Sequence, residues 1–351
     1  MQRRLVFVTR YRGFLSVLVV VMHAGIIYGG QGPWYLVTPP DASWVGALAR
    51  FLSFITRSFV PGAFFFLSGY FVPGSREHRG AWGVLRSKAV RLLIPLAVYT
   101  FVANPLLVRA AAAWGPGGSA AAWPAFSAGP LWFLGVLFLF VLLSLGARPA
   151  FSEGPAPAAS RIPSQPWILL SVLVSALLSF LLRGVFPTDA WISHLPMYVI
   201  LFAAGIKAGK EQWLEEIASL PIGAWSALAG AGLLLFPALG MRGSFPPGGF
   251  RWQSAAFALW DAVTGMGLFI VTLVLFSRAR WVIPGTGESF SSSAYALYLL
   301  HPPIVVLLAL GMRDAPLSPA LAWITLSIAG TCLPWGLTAA LRKATGFPRA
   351  F

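Results

Sequence analysis

The sequence has 351 residues, of which 58% are hydrophobic and only 10% are charged, and its mean hydropathy is +0.77. This small number of polar residues cannot cover the surface of a soluble globular protein. The composition therefore predicts an integral membrane protein. The net charge of +15 would suit nucleic-acid binding, but the basic residues stand in short groups between apolar runs, which is typical of topology signals. The single cysteine, Cys332, excludes an internal disulfide and a thiolate metal site.

Apolar runs of about 20 residues, the length that crosses a bilayer as a helix, recur along the whole chain. They predict an all-α bundle of about ten transmembrane helices, at 12–30, 53–73, 89–111, 129–147, 166–183, 194–209, 220–240, 253–277, 289–311 and 319–341. With a cytoplasmic N-terminus, most of the 25 Lys and Arg residues fall in inner segments, so we expect both termini in the cytoplasm. We expect one transmembrane domain over 1–351, with a flexible Pro-rich inner loop at 147–165.

The first span carries an arginine and a histidine at a fixed separation. Arg12 opens the apolar stretch, His23 closes its outer part, and ten uncharged residues lie between them. In an α-helix this is about three turns, so both side chains project from one face, roughly 16 Å apart along the axis. An ionisable side chain within a span costs roughly 2.5 to 3.5 kcal/mol to insert, so we expect His23 to face protein or a water-filled cavity.

The first outer loop and the end of the second span offer weaker signals. Trp34, Tyr35 and Trp44 suit anchoring at the membrane interface, and the alternative is contact with an acceptor molecule. At the end of the second span, Gly69 would allow close approach of another backbone. Ser68 either bonds back to its own helix or contributes to a site.

The densest basic group lies between the second and third spans, from Arg76 to Arg91. Part of it is ordinary positive-inside signal. Lys88 and Arg91 are three positions apart, which places them on one face of an α-helix at the cytoplasmic boundary. Two cations there would suit a ligand that carries phosphate groups.

Two later spans contain further ionisable side chains. Asp261 lies in the middle of the eighth span, and we expect it to pair with a buried Arg or His, as a structural ion pair or as part of a site. In the ninth span, Tyr298 and His301 are neighbours on the helix surface just before two prolines. His301 is either a hydrogen-bonded structural residue or a site residue.

Several common motifs are missing from the sequence. The four histidines are scattered, with no His/Glu pair at ligand spacing, so we expect no metal. There is no phosphate-binding loop of the P-loop kind and no Gly-x-Ser-x-Gly elbow of a serine hydrolase.

Taken together, six stretches resemble the membrane-bound acyltransferase family 3, whose members transfer acyl groups onto sugars and other hydroxyl-bearing molecules. They lie in family order along the chain: Arg12 to His23 with Ala24 to Tyr28, Phe64 to Gly74, Arg86 to Pro95, Gly129 to Leu134, Trp252 to Phe276, and Tyr295 to Pro302.

The resemblance implies a ten-span enzyme that takes its acyl group from cytoplasmic acyl-CoA. By position, His23 matches the family's essential histidine and Arg12 its paired arginine. Arg91 falls on the basic residue before the family's Leu-x-x-Pro turn. One position departs from the family pattern, because Thr9 stands where many members have an acidic residue.

We therefore expect a membrane O-acyltransferase that moves an acetyl or similar group from acyl-CoA to a hydroxyl of a carbohydrate or other cell-envelope or secondary-metabolite acceptor. His23 would act as base or acyl carrier, with Arg12 beside it in the catalytic set. The expected cofactor-binding residues are Lys88, Arg91 and Arg86. The possible oxyanion or acceptor contacts are Ser68, Tyr298, His301 and Asp261.

The alternative is a multi-span transporter in which Arg12 and His23 form a substrate or proton site. For either function we expect a multi-pass protein of the bacterial inner membrane, in contact with the lipid bilayer and without a nucleic-acid partner.

Overall fold

The computed structural model describes residues 6–30, 32–37, 44–114, 124–146, 162–187, 192–240, 248–279 and 293–345. The α-helices, in chain order, are α1 (Val6–Ile27), α2 (Trp44–Tyr70), α3 (Val72–Lys88), α4 (Ile94–Val98), α5 (Asn104–Trp114), α6 (Trp132–Gly146), α7 (Gln165–Val185), α8 (Leu195–Lys210), α9 (Trp213–Glu216), α10 (Gly223–Gly240), α11 (Trp252–Arg278), α12 (Ala294–Gly311) and α13 (Pro319–Thr345). Within these ranges the chain contains no β-strand. Most of the predicted inner loop at 147–165 lies outside the described residues.

The described residues include nine helical segments that are long and apolar enough to cross a membrane. A tenth is present if Trp213–Ser219 and Gly223–Leu235, which are bent by 82° at a short break, count together as one span. The predicted all-α bundle of about ten membrane helices is therefore confirmed.

The first two spans begin earlier than the apolar runs predict. Helix α1 begins at Val6 and α2 begins at Trp44. The additional turns contain Arg10 and Arg50, which lower the local hydropathy without interrupting the helix. An apolar run thus locates the part of a helix that crosses the membrane, but not where the helix begins.

The third span is a long helical segment, Val72–Ala113, that contains two π-helical turns. The turns are Ala89–Leu93 and Tyr99–Ala103, and a proline follows each within two residues. Proline has no backbone N–H and its ring crowds the carbonyl four residues earlier, which regular α-helix cannot absorb. Pro95 accordingly cannot bond to the Arg91 carbonyl, and the Tyr295 hydroxyl of α12 donates to that oxygen instead.

The helices group into two compact units. The first contains Arg57–Ser87 and Leu137–Ala279, and the second contains Val6–Thr56, Lys88–Val136 and Arg280–Phe351. Helix α1 belongs to the second unit, so the arginine and the histidine that the sequence analysis singled out lie there together.

In the second unit, α1 packs against α12 and α13. The indole N–H of Trp323 on α13 donates to the Val21 carbonyl over 3.0 Å. Gly25 makes room for this indole, because a Cβ at that position would lie 3.0 Å from the Trp323 ring. Near the middle of α1, the Ser16 hydroxyl lies 3.3 Å from the Ala294 carbonyl of α12. Contacts at two levels fix the position of α1 in its unit.

In the first unit, α2 and α8 approach each other backbone to backbone. A Cβ at Gly205 of α8 would lie 2.1 Å from the Phe66 carbonyl oxygen, and a Cβ at Gly69 of α2 would lie 2.3 Å from the Phe202 carbonyl oxygen. Gly209, one turn beyond Gly205, completes the small-residue spacing that lets membrane helices pack closely. The predicted close approach at Gly69 is confirmed.

We predict that Gly205→Ala lowers the thermal unfolding midpoint of the detergent-purified protein. The added methyl must displace the α2 backbone, and overpacking of this kind typically costs about 1 to 3 kcal/mol. Gly230→Ala on α10 is the matched control, because nothing lies within 4 Å of a Cβ there. Equal loss in both variants would mean that the α2 contact is not responsible.

Candidate active site

Arg12 and His23 lie on one uninterrupted helix, α1. Their separation along the axis is therefore roughly 16 Å, as the sequence predicts. The prediction that His23 faces protein is confirmed, because its half-buried ring contacts both His301 and Trp34.

His23 and His301 form a hydrogen-bonded pair between α1 and α12. The His23 Nδ1 and His301 Nε2 atoms are 2.9 Å apart, and the two rings are inclined by only 10°. The other ring nitrogen of His301, Nδ1, lies 2.7 Å from the Tyr298 carbonyl and 3.3 Å from the Leu297 carbonyl. His301 is completely buried.

The two prolines that follow His301 explain its bond to the Tyr298 carbonyl. In a regular helix this carbonyl would accept from the N–H of the residue four positions later. That residue is Pro302, which has no N–H, and the next residue is Pro303. The carbonyl is thus left for the His301 side chain.

This contact fixes the tautomers of both histidines. A carbonyl oxygen only accepts, so His301 carries its proton on Nδ1 and presents a lone pair on Nε2. His23 must then donate from its own Nδ1 into that lone pair. In the neutral state, the lone pair of His23 accordingly resides on Nε2, which is the form a general base requires.

Trp34 closes one face of the His23 ring. The indole and imidazole rings are stacked with their centroids 4.4 Å apart and their planes inclined by 14°. Trp34 and Tyr35 are each only 1% exposed, so the predicted role as membrane-interface anchors is wrong for both, whereas Trp44 is 68% exposed. The indole N–H of Trp34 is buried and has no hydrogen-bond partner among the described residues.

A buried hydrogen-bond network holds Tyr35, the neighbour of Trp34. The Tyr35 hydroxyl donates to the Asn104 side-chain oxygen over 2.5 Å and lies 2.7 Å from the Tyr99 hydroxyl. Each hydroxyl has one proton, so Tyr99 is the donor to Tyr35. Burial raises the pKa of Tyr35, so its hydroxyl stays protonated and keeps donating.

Asn104 extends this network to the segment before α6. Its side-chain amide donates to the carbonyls of Pro124 and Ala125 over 2.9 and 2.8 Å. The chain turns nearby at Gly129, where φ is +46° and a Cβ would lie 3.0 Å from the Tyr35 hydroxyl. The network thereby ties the loop that carries Trp34 to the third span.

At the other end of α1, Arg12 and Arg91 lie close enough to interact electrostatically. The Arg91 guanidinium carbon lies 5.0 Å from the centroid of the Tyr295 ring, a cation–π contact. The hydroxyl of the same tyrosine donates to the Arg91 backbone carbonyl. Two like charges held together in this way favour a bound anion.

Lys88 and Arg86 lie in different surroundings from Arg91. Lys88 is half-buried and directly precedes the π-helical turn that contains Arg91. A π turn holds more residues than an α turn, so the spacing of three no longer places Lys88 and Arg91 on one face as a regular α-helix would. Arg86 is exposed and belongs to the first unit.

The other predicted oxyanion or acceptor contacts do not lie together. The Tyr298 hydroxyl donates to the Pro130 carbonyl over 2.9 Å, so it holds the start of the fourth span. Ser68 and Asp261 belong to the first unit. Ser68 is half-buried. Asp261 pairs with His194 over 2.8 Å, which confirms the predicted pairing of this acid with a buried Arg or His.

A pocket of about 140 Å³ lies in the second unit, one helical turn beyond His23. Ile27 and Tyr28 line it from α1, and Leu36 lines it from the loop that carries Trp34. The opposite wall comes from the end of α12, from Arg313 and from the start of α13. A cavity thus lies on the side of the histidine pair that faces away from Arg12 along α1.

Sequence reasoning missed Tyr99 and Asn104. Asn104 carried a usable signal, because a buried amide inside a membrane span needs partners. The sequence signal of Trp34 was misleading, since an aromatic residue next to a span is equally compatible with the membrane interface and with the protein interior. Among the described residues, no three His, Cys, Asp or Glu side chains are grouped so that they could hold a metal ion.

A family model described as an acyltransferase domain, that of acyltransferase family 3, matches residues 7–339. This range includes both histidines of the pair, all of α1 except its first residue, and α13 as far as residue 339. No curated protein matches the sequence.

We predict that Tyr35→Phe lowers the thermal unfolding midpoint and loosens the loop that carries Trp34. The change leaves the Asn104 oxygen and the Tyr99 hydroxyl without a partner, and each buried orphan costs about 1 to 3 kcal/mol. Tyr28→Phe is the control, because the Tyr28 hydroxyl makes no hydrogen bond in the described part of the chain. Tryptophan fluorescence and a thermal scan measure both effects, and indistinguishable midpoints for the two variants would contradict the network.

Proposed function

The chain belongs to acyltransferase family 3, and from this premise we propose that it transfers an acetyl or similar acyl group from cytoplasmic acyl-CoA to a hydroxyl group of a carbohydrate or related acceptor. Multi-span helical architecture and family membership together make it a membrane acyltransferase. Family membership favours this function over the transporter alternative.

The observation that carries the proposed chemistry is the hydrogen bond from His23 to His301. It holds the imidazole of His23 in one tautomer, with the lone pair on Nε2. Stacking on Trp34 restricts the same ring from one face. A base that is oriented before the reaction begins does not have to be ordered during it.

In the direct route, His23 Nε2 takes the proton from the acceptor hydroxyl while that oxygen attacks the thioester carbonyl carbon. The tetrahedral intermediate then collapses, the carbon–sulfur bond breaks, and the coenzyme A thiolate recovers the proton from His23. The imidazolium that forms between these steps carries a proton on both nitrogens, and its Nδ1–H continues to donate to His301. The pair thus stabilises the charged state without a change of partner.

In the second route, His23 Nε2 attacks the thioester itself and becomes acylated as the coenzyme A thiolate leaves. The acceptor oxygen then attacks the acyl carbon, the bond from that carbon to Nε2 breaks, and the hydroxyl proton passes by way of the freed Nε2 to the coenzyme A thiolate. Both routes use the same nitrogen. Rapid quenching with labelled acetyl-CoA in the absence of acceptor separates them, because only the second route leaves label on the protein.

The donor is proposed to enter at the basic end of α1. Arg12 and Arg91 would hold the phosphates of coenzyme A, with Lys88 as a further contact, while the thioester arm runs along α1 towards His23. The proximity of two cations at this end supports the assignment. The pocket beyond His23 is the proposed acceptor position, and we place that side outside the cytoplasm on the strength of the charge distribution.

We predict that His23→Ala abolishes acetyl-CoA turnover and that His301→Leu lowers kcat. Loss of a positioned general base costs about 100-fold to 10,000-fold. His301→Leu removes the acceptor that fixes the His23 tautomer, whereas His301→Gln retains an oxygen that can accept from His23 Nδ1. We therefore expect His301→Gln to recover part of kcat with KM for acetyl-CoA unchanged. Native kcat in His301→Leu would refute the role of the pair.

We predict that Arg91→Gln raises KM for acetyl-CoA about tenfold or more and leaves kcat within a few-fold of native, because charge-assisted bonds to phosphate are lost. Arg109→Gln on α5 is the control, since Arg109 is an exposed arginine of the same helical span. Steady-state kinetics at constant ionic strength measure both variants. An equal rise in KM for both would show that net charge, rather than this position, sets donor affinity.

A further inference from the structure

The buried face of α7 carries three polar residues at four-residue spacing. Ser175, Ser179 and Arg183 are 2%, 4% and 4% exposed. All three belong to the first unit and play no part in the chemistry proposed above. An arginine buried within a membrane helix needs a partner that compensates its charge.

The described contacts of Arg183 leave much of its guanidinium group unsatisfied. Its carbon lies 4.2 Å from the centroid of the Phe257 ring on α11. Asp261, one turn further along α11, lies within electrostatic range, but a carboxylate oxygen of Asp261 is hydrogen-bonded to His194 over 2.8 Å. The Nε and Nη2 atoms of Arg183 are both buried and have no hydrogen-bond partner among the described residues.

The identity of these two nitrogens is informative. Nε–H and Nη2–H form one edge of the planar guanidinium and point in parallel, which is the fork that grips a carboxylate or phosphate with two hydrogen bonds. A single orphan nitrogen would suit a buried water molecule. A complete orphan edge matches the shape of an oxyanion.

Two buried hydroxyls lie on the faces of α7 and α11 that carry Arg183 and Phe257. Ser179 is one turn before Arg183 on α7, and Ser254 is one turn before Phe257 on α11. Neither hydroxyl has a hydrogen-bond partner within the described residues. We call the Nε/Nη2 edge of Arg183 together with these two hydroxyls the Arg183 slot.

The segment before α11 covers the end of α7 beside the slot. The Gly249 N–H donates to the Arg183 carbonyl over 2.8 Å. The Phe250 ring lies against Gly184, where a Cβ would come within 2.2 Å of it, and its centroid is 5.8 Å from that of Phe180. These contacts pack the end of α7 against protein, and the guanidinium edge itself is enclosed because Arg183 is only 4% exposed.

We propose that the Arg183 slot binds one oxyanion group, a carboxylate or a phosphate, through the guanidinium edge and the hydroxyls of Ser179 and Ser254. Native proteins satisfy almost all of their buried polar groups, so orphan donors on two helices that pack together mark the place of a missing acceptor. The oxyanion belongs either to a small soluble acid or to the headgroup of an anionic lipid. The slot is a second binding site and does not depend on the proposed function.

The test is the thermal unfolding midpoint of the detergent-purified full-length protein, titrated at constant ionic strength with sodium chloride as the reference. Three probes are used: inorganic phosphate, glucuronate and short-chain phosphatidylglycerol. We expect a saturable rise with at least one probe. A rise with phosphatidylglycerol alone identifies a lipid headgroup, and a rise with either soluble anion identifies a small acid.

The variants assign the rise to the slot. Arg183→Met is expected to weaken binding about tenfold or more, since bonds to a charged group are lost. Arg183→Lys keeps the charge but not the fork, so we expect it to preserve only part of the binding. Arg251→Gln, an exposed arginine of the same unit, should bind as the native protein does. If Arg183→Met does not fold, Ser179→Ala removes one donor with little change in volume and should also weaken binding. No saturable rise with any probe, or an unchanged rise in the folded variants of Arg183 and Ser179, would overturn the proposal.

Discussion

The geometry of the candidate active site depends on one backbone carbonyl that its own helix cannot satisfy. Pro302 deprives the Tyr298 oxygen of the N–H group that would normally bond to it. The His301 side chain takes its place, which fixes the proton on its Nδ1. The tautomer of His23 follows, because the two rings share a single hydrogen bond. A feature that weakens the helix thus determines which nitrogen of His23 carries the lone pair.

Proline has a related effect in the third span. Pro95 leaves the Arg91 carbonyl without its helical donor, and Tyr295 of α12 supplies one. The aromatic ring of the same tyrosine lies under the Arg91 guanidinium. Helix α12 therefore contacts the site at two levels, with His301 beside the proposed base and Tyr295 beside the basic end. Both contacts use backbone groups that proline released.

Trp34 shows how a loop can contribute as much to a site as the helices do. Residues 32–37 of this loop contain no helix or strand, yet the bonds of Tyr35 to Asn104 and Tyr99 hold them in the interior. Every donor and acceptor that this network brings inside needs a partner there, which makes the position of the loop specific. The indole is thereby held against the imidazole.

The sequence by itself determined the helical architecture and the candidate base. Apolar runs and helical spacing depend only on residues close together in the chain, so the spans, the common face of Arg12 and His23, the close approach at Gly69 and the need of Asp261 for a partner were all predictable. The tertiary structure decided the rest. His23 and His301 are 278 positions apart, Asp261 took His194 rather than an arginine as its hydrogen-bonded partner, and Trp34 turned inwards. Which distant residues meet depends on how whole helices pack, and local periodicity carries no information about that choice.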